Sequence, residues 1–442
     1  MKQHQDHKED RETISLTSAV AMGTGVMIGA GIFALTGQIA GLAGPWFPLS
    51  FIAGAIVTAF SAYTYIAMSN RWPSSGGIAM ILTKAYGPGA VAAAASLLMA
   101  LSMVINESLV ARTFATYALR PFDIEGGPLV PIIAVGLIIF AYLVNVSGNR
   151  SVGLLSVLMS GLKIGGIALF GIAAIWASRG LELASAPSEE FAPLGFVASV
   201  ALSILAFKGF TTITNSGGEI TDPHRNVGRT IMISIVICAV TYLLVAVAIG
   251  SSLTSDQISS ARDYALAEAA EPVLGRIGFY LTVALAMIAT ASGLIASVFA
   301  VSRMLTMLTD MKMIPHSHFG MSGTIRSHIL VYTVVIAGTL AVLFDLSRIA
   351  SLGAFFYLIM DMAVHWGVWS RLRNEIGARG WILLTALALD GLVLVAFTGL
   401  KLQSDPMIVV YAAVGIVAVF LYERYFLESW VEEQPGGPQG AM

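Results

Sequence analysis

From Leu16 to Tyr425 this chain is a nearly unbroken succession of apolar runs, each about 20 residues long. A helix rising ~1.5 Å per residue needs about that length to cross ~30 Å of hydrocarbon. Inside lipid no water satisfies backbone N–H and C=O groups, so the chain must satisfy them itself, turn by turn. The expectation is an all-α integral membrane protein. Composition agrees: 11% of residues are charged and 57% hydrophobic, against ~25% charged in soluble domains. The 442 residues leave room for about twelve such helices and no sizeable soluble domain. Met1–Glu12 carries both signs of charge and no early apolar core, so no cleavable signal peptide is expected.

The spans fall at 14–40, 44–70, 88–119, 128–147, 151–177 and 195–221, then at 227–251, 273–310, 328–346, 348–370, 379–401 and 405–427. An even number puts both termini on one side, and cations say which. With the termini inside, the cytoplasmic segments hold fifteen Lys and Arg (Arg71, Arg303 and Arg371 among them) and the outer segments six, such as Arg120 and Arg348. Three further cations, Arg112, Lys163 and Lys208, lie at membrane depth, as do the acids Glu107, Asp361 and Asp390. Charge in hydrocarbon is costly, so these are functional candidates by default. A net charge of -2 argues against a nucleic acid partner. The one cysteine, Cys238, lies in an apolar run, which excludes an intramolecular disulfide and a Cys-based metal site.

Spans one and six carry glycine where a membrane helix should be continuous. Span one reads Gly23-Thr24-Gly25-Val26-Met27-Ile28-Gly29-Ala30-Gly31; span six reads Leu205-Ala206-Phe207-Lys208-Gly209-Phe210-Thr211-Thr212. Each glycine costs a helix interior about 1 kcal/mol. Gly25 and Gly29 also form a small-xxx-small pair, so helix packing is the alternative reading. Two interrupted helices five spans apart point to an inverted five-plus-five repeat with helices 1 and 6 broken at its centre. No strand precedes the first string, so it is not a dinucleotide fingerprint.

Four motifs, taken in order, resemble the amino acid–polyamine–organocation (APC) superfamily of transporters, with its LeuT-type fold. They are the glycine string of span one; Pro73-Ser74-Ser75-Gly76-Gly77 with Tyr86-Gly87-Pro88; Glu219 with Asp222-Pro223-His224-Arg225; and Ser302-Arg303 with Met307, Asp310 and Pro315. The last four spans add hydropathy but no distinctive motif. The resemblance implies a cytoplasmic N-terminal tail over 1–13, a ten-helix transport core over 14–370 (repeats roughly 14–177 and 195–370), two additional helices over 371–427 and a disordered cytoplasmic tail over 428–442. It implies a monomer or homodimer in the cytoplasmic membrane, proton-coupled like several bacterial amino acid permeases, with a small amino acid or amine as substrate and no cofactor beyond the coupling proton.

Unwinding at Gly29, Ala30 and Gly31 would aim backbone N–H groups and the positive end of a half-helix at an anion. The resemblance implies that this anion is the substrate α-carboxylate. Carbonyls freed at Ile28 and at Leu205, Phe207 and Lys208 would accept from its ammonium. Lys163, about twelve residues from either end of span five, looks like the helix-five lysine that stands in for a cation between helices one and eight; its acceptors would be Gly23 or Thr24. Lys208 departs from the family pattern: it either faces the substrate or pairs with Glu107 or Asp361. Phe207 and Phe210 read equally as substrate-capping aromatics and as packing. Asp361 and His365 share a helix face, but two ligands without a third make a weak metal site, so none is expected. Asp390 has no assigned role. His224, His316, His318 and His328 read as solvated loop residues. No Ser/His/Asp set or His-Glu-x-x-His helix supports an enzyme. The leading reading is a proton-driven secondary transporter; an exchanger without net proton coupling, or a transporter-like channel or sensor, are the alternatives.

Overall fold

The computed structural model describes residues 13–74, 76–147, 161–173, 191–314 and 325–432. The expectations for Ser75, Pro315, His316, His318 and both chain ends (1–12, 433–442) lie outside these residues. Membrane-length helices are α1 (Leu16–Ala43), α2 (Phe47–Arg71), α4 (Ala90–Leu119), α5 (Leu129–Ser147), α9 (Pro223–Ser252), α11 (Ala265–Asp310), α12 (Ile325–Leu343), α13 (Leu346–Gly367), α14 (Gly380–Ser404) and α15 (Pro406–Glu432). Shorter pieces are α3 (Gly77–Tyr86), α6 (Gly161–Ala173), α7 (Pro193–Phe207), α8 (Phe210–Asn215) and α10 (Ser255–Ser260). With α6 standing for span five and α7–α8 for span six, twelve spans are accounted for, each overlapping its expected range.

Local chemistry sets the boundaries. Ser15 caps α1 by accepting from the Ser18 N–H at 3.2 Å, and Asp345 caps α13 by accepting from the Arg348 N–H at 2.8 Å. α1 ends at Gly44, whose φ of 56° a β-carbon would resist, and Pro45 follows to turn the chain into α2. α11 bends where Pro272 and Gly275 (φ 65°) interrupt it.

The inside of the bundle is α1, α7 and α8, packed among α2, α9, α11 and α13. Residues 198–214 on α7–α8 are all buried. The outside is α5, α12, α14 and α15, with side chains such as Val395, Val414 and Leu421 exposed as a lipid-facing surface requires. α14 packs against α2, α7 and α13, so the eleventh span touches the central helices directly.

Candidate functional site

Span six is broken as its glycine implies. Lys208 and Gly209 separate α7 from α8, and a β-carbon on Gly209 would lie 2.9 Å from the Met27 backbone nitrogen. Span one behaves differently: α1 is helical from Leu16 to Ala43, straight through Gly29–Gly31. Its glycines admit neighbours instead. A β-carbon on Gly29 would lie 3.2 Å from the Ala289 carbonyl oxygen of α11, and one on Gly31 would lie 2.9 Å from that of Ala206 on α7. Here close helix approach, the packing reading of the same letters, describes what the glycines do.

Where α1 faces the break there is a small cavity with about 20 Å³ of water-accessible space, room for about one water. Val26, Met27 and Gly31 line it from α1, Met103 and Asn106 from α4, and Ser297 from α11. The sixth span contributes Leu205 and Ala206, then Lys208 and Gly209, then Thr211 and Thr212. Of the expected substrate residues, Gly31, Leu205 and Lys208 meet here. Ile28 is buried but is not on the wall, Gly29 faces α11, and Ala30 lies between Gly29 and Gly31 in α1. Phe207 and Phe210 are not on the wall either: their rings lie 5.0 Å from Tyr242 and 5.3 Å from Tyr65. Of the residues that sequence reading missed, Thr211 and Thr212 lie two and three positions after Gly209 at the break and Asn106 precedes Glu107, so their signal was at hand. Met103 and Ser297 carry none.

Lys208 does not form the expected ion pair. Its ammonium donates to the Ser102 carbonyl at 2.7 Å and to the Ser102 hydroxyl at 3.0 Å, both on α4. Among the described residues no carboxylate lies within 4 Å of it. Glu107, fully buried, instead accepts from the Ser297 hydroxyl at 3.3 Å. Asp361 is engaged elsewhere, accepting from the Tyr65 hydroxyl and, at 2.7 Å, from Ser61. The ammonium is held by a backbone oxygen and a hydroxyl beside the cavity, with the buried Glu107 carboxyl near it but outside ion-pair distance.

Lys163 is 2% exposed and donates to the Gly25 carbonyl at 3.2 Å, one residue beyond the expected Thr24. Three residues on, a β-carbon at Gly166 would touch Leu285 of α11 at 2.9 Å, so α6 sits between the first and eighth spans. His365 is also buried, 3.5 Å from Asp361 and 3.4 Å from Asp390 of α14. Asp390 is thus the third group that sequence reading lacked.

Polar contacts tie the helices together on both sides of the cavity. On the side assigned to the cytoplasm, Arg303 of α11 grips Glu219 with two guanidinium nitrogens, one at 3.0 Å. Beside it Ile14 and Ile220 pair backbone to backbone, the Ile14 N–H donating to Glu219 at 2.8 Å and the Thr221 N–H to Ile14 at 3.0 Å. On the other side Gln38 donates to Asp263 at 2.6 Å, and Arg120 lies 3.1 Å from Glu125 and 3.3 Å from Glu268.

Comparison with known proteins follows the same outline. The model of the amino acid permease family matches residues 14–428. The inner membrane transport protein YbaT of Escherichia coli is 32% identical over 393 residues, 87% of this chain and 89% of that protein. The branched-chain amino acid permease BcaP of Lactococcus lactis is 24% identical over 448 residues, 94% of this chain and 95% of that protein.

Proposed function

This chain belongs to the amino acid permease family, and from that premise we propose that it is a secondary transporter of amino acids driven by protons through Lys163. One observation carries the coupling. An amine 2% exposed, bonded to a backbone carbonyl of the first span and without a carboxylate in ion-pair range among the described residues, has no fixed counter-charge. Burial penalises its charged form, and the Gly25 carbonyl rewards it. Gain and loss of that proton therefore changes how α6 holds α1, the helix that forms one wall of the cavity.

The substrate site is that cavity, which must widen from its room for about one water when an amino acid enters. Lys208, on its wall and without a carboxylate in ion-pair range among the described residues, meets the substrate carboxylate; Met27, Met103 and Leu205 give the side chain an apolar surface. A positive charge there disfavours arginine-like and polyamine substrates. The chain lies in the cytoplasmic membrane with both termini inside, as the fifteen-to-six cation bias requires. Residues 14–370 form the ten-helix core as inverted repeats, and the two remaining helices pack on it.

Uptake into proteoliposomes under an imposed pH gradient tests this. Two pH units are worth ~2.7 kcal/mol, enough for about 100-fold accumulation at one proton per substrate. Lys163→Ala should equilibrate substrate without concentrating it. Lys163→Arg, always charged, should fail to concentrate it too. Sodium-dependent uptake, or undiminished accumulation by Lys163→Ala, would refute proton coupling at this residue. Uptake that needs amino acid on the far side would instead identify an exchanger.

A further inference from the structure

Asp361 and His365 on α13 and Asp390 on α14 converge behind the wall of the cavity. All three are fully buried, and their ligand-capable atoms lie within 4.8 Å of one another. We propose that they bind one divalent transition-metal ion of the zinc or manganese class. In this geometry His365 Nε2 lies 3.5 Å from Asp361 Oδ2 and 3.4 Å from Asp390 Oδ2. A tetrahedral ion with ligands at ~2.0–2.2 Å sets neighbouring ligand atoms ~3.3–3.6 Å apart. One imidazole and two carboxylates are a donor set such ions accept.

The orientation of the groups supports a ligand more than a self-contained network. His365 Nε2 and both Asp390 oxygens are buried without a hydrogen-bond partner, a costly condition for a native interior. The far atoms of two of these groups are held from behind: His365 Nδ1 shares a hydrogen bond with the Thr64 hydroxyl at 2.8 Å, and Asp361 Oδ1 accepts from Tyr65. Asp361 Oδ2, the oxygen that faces His365, also accepts from Ser61 at 2.7 Å. Partners of this kind fix the ring and carboxylate that grip a metal. Charge points the same way. Two carboxylates and a neutral imidazole sum to minus two, which one divalent cation cancels; without it the cluster must take up protons instead.

The ion would tie α14 to α13 and, through Ser61, Thr64 and Tyr65, to α2. Tyr65 also lays its ring against Phe210 at the start of α8. Its site is therefore one aromatic contact from the break in span six, and independent of the coupling assigned to Lys163.

The test is metal analysis of the full-length protein by mass spectrometry. The protein is expressed with a histidine-free affinity tag, in media supplemented with zinc or manganese, and purified without chelators. About one ion per chain should co-purify, and His365→Gln and Asp390→Asn should each lower that content by about tenfold or more. Treating the wild type with phenanthroline should lower its melting temperature, and ZnCl2 or MnCl2 should restore it. If the variants do not fold, the wild-type content and that reversal decide. Metal-free wild type from both media, or metal retained equally by both variants, would overturn the proposal and leave a cluster that shares protons instead.

Discussion

Breaking the Arg303–Glu219 contact should open one side of the cavity by a measurable amount. The contact is two-pronged, but its side chains are 40% and 27% exposed, so solvent screens it and its worth is that of a good surface pair, ~1 kcal/mol. If it forms only in the closed state, its loss multiplies the open-to-closed ratio about fivefold, since 1.4 kcal/mol is tenfold. The sole cysteine, Cys238, is buried, so an introduced thiol can be read against a quiet background. Thr24 suits it: fully buried on α1, its hydroxyl bonds only within its own helix. Maleimide labelling of Thr24→Cys from the cytoplasmic side should run about fivefold faster with Arg303→Met. Glu219→Gln should act alike, and the double variant no more than either. Unchanged labelling, or single effects that multiply in the double variant, would refute the gate.

Gly31→Ala should abolish substrate binding and destabilise the protein by ~1–3 kcal/mol, because its β-carbon would overlap the Tyr242 hydroxyl. Gly41→Ala in the same helix, with nothing within 4 Å, should be neutral or stabilising by up to ~1 kcal/mol; thermal melts separate the two. Lys208→Met keeps the stem and removes the charge, so substrate affinity should fall about 10- to 100-fold if the ammonium meets the carboxylate; unchanged affinity in a binding titration would place the carboxylate elsewhere. At the outer end, Arg348 hydrogen-bonds Asp405 at 2.7 Å and holds its carboxyl below the usual range. Its contribution is therefore present above the unfolded value of ~3.9 and fades as pH falls through the lower folded one. Arg348→Met should lose under ~1 kcal/mol at pH 7 and nothing at acid extremes; a deficit that persists in acid would point to packing.

Twelve spans were legible because apolar length is a one-dimensional signal. Lys163 was legible for the same reason, as a charge in an apolar run. Its acceptor was missed by one residue because the rotation of α1 about its axis is set by neighbours that the sequence does not place. The glycines of span one fit unwinding and close approach equally well. Only the neighbouring Ala289 and Ala206 carbonyls distinguish the two. Lys208 and Ser102 meet across more than a hundred residues, and Ser102 is an ordinary polar residue in an alanine-rich helix. Asp390 was unassigned because its meaning depends on α14 packing against α13, a contact with no letter of its own.

The pairing of Ile14 with Ile220 bears on how the protein is made. The two residues are roughly two hundred positions apart, and translation at ~5–20 residues per second separates their synthesis by ~10–40 seconds. The helices that fill the surroundings of α1, namely α7, α9 and α11, also emerge later. Until then the first span has only α2 and α4 among its neighbours, and the partners that its glycines admit, on α7 and α11, are still to come. The contacts that fix its final position therefore form only after about half of these 442 residues have been made.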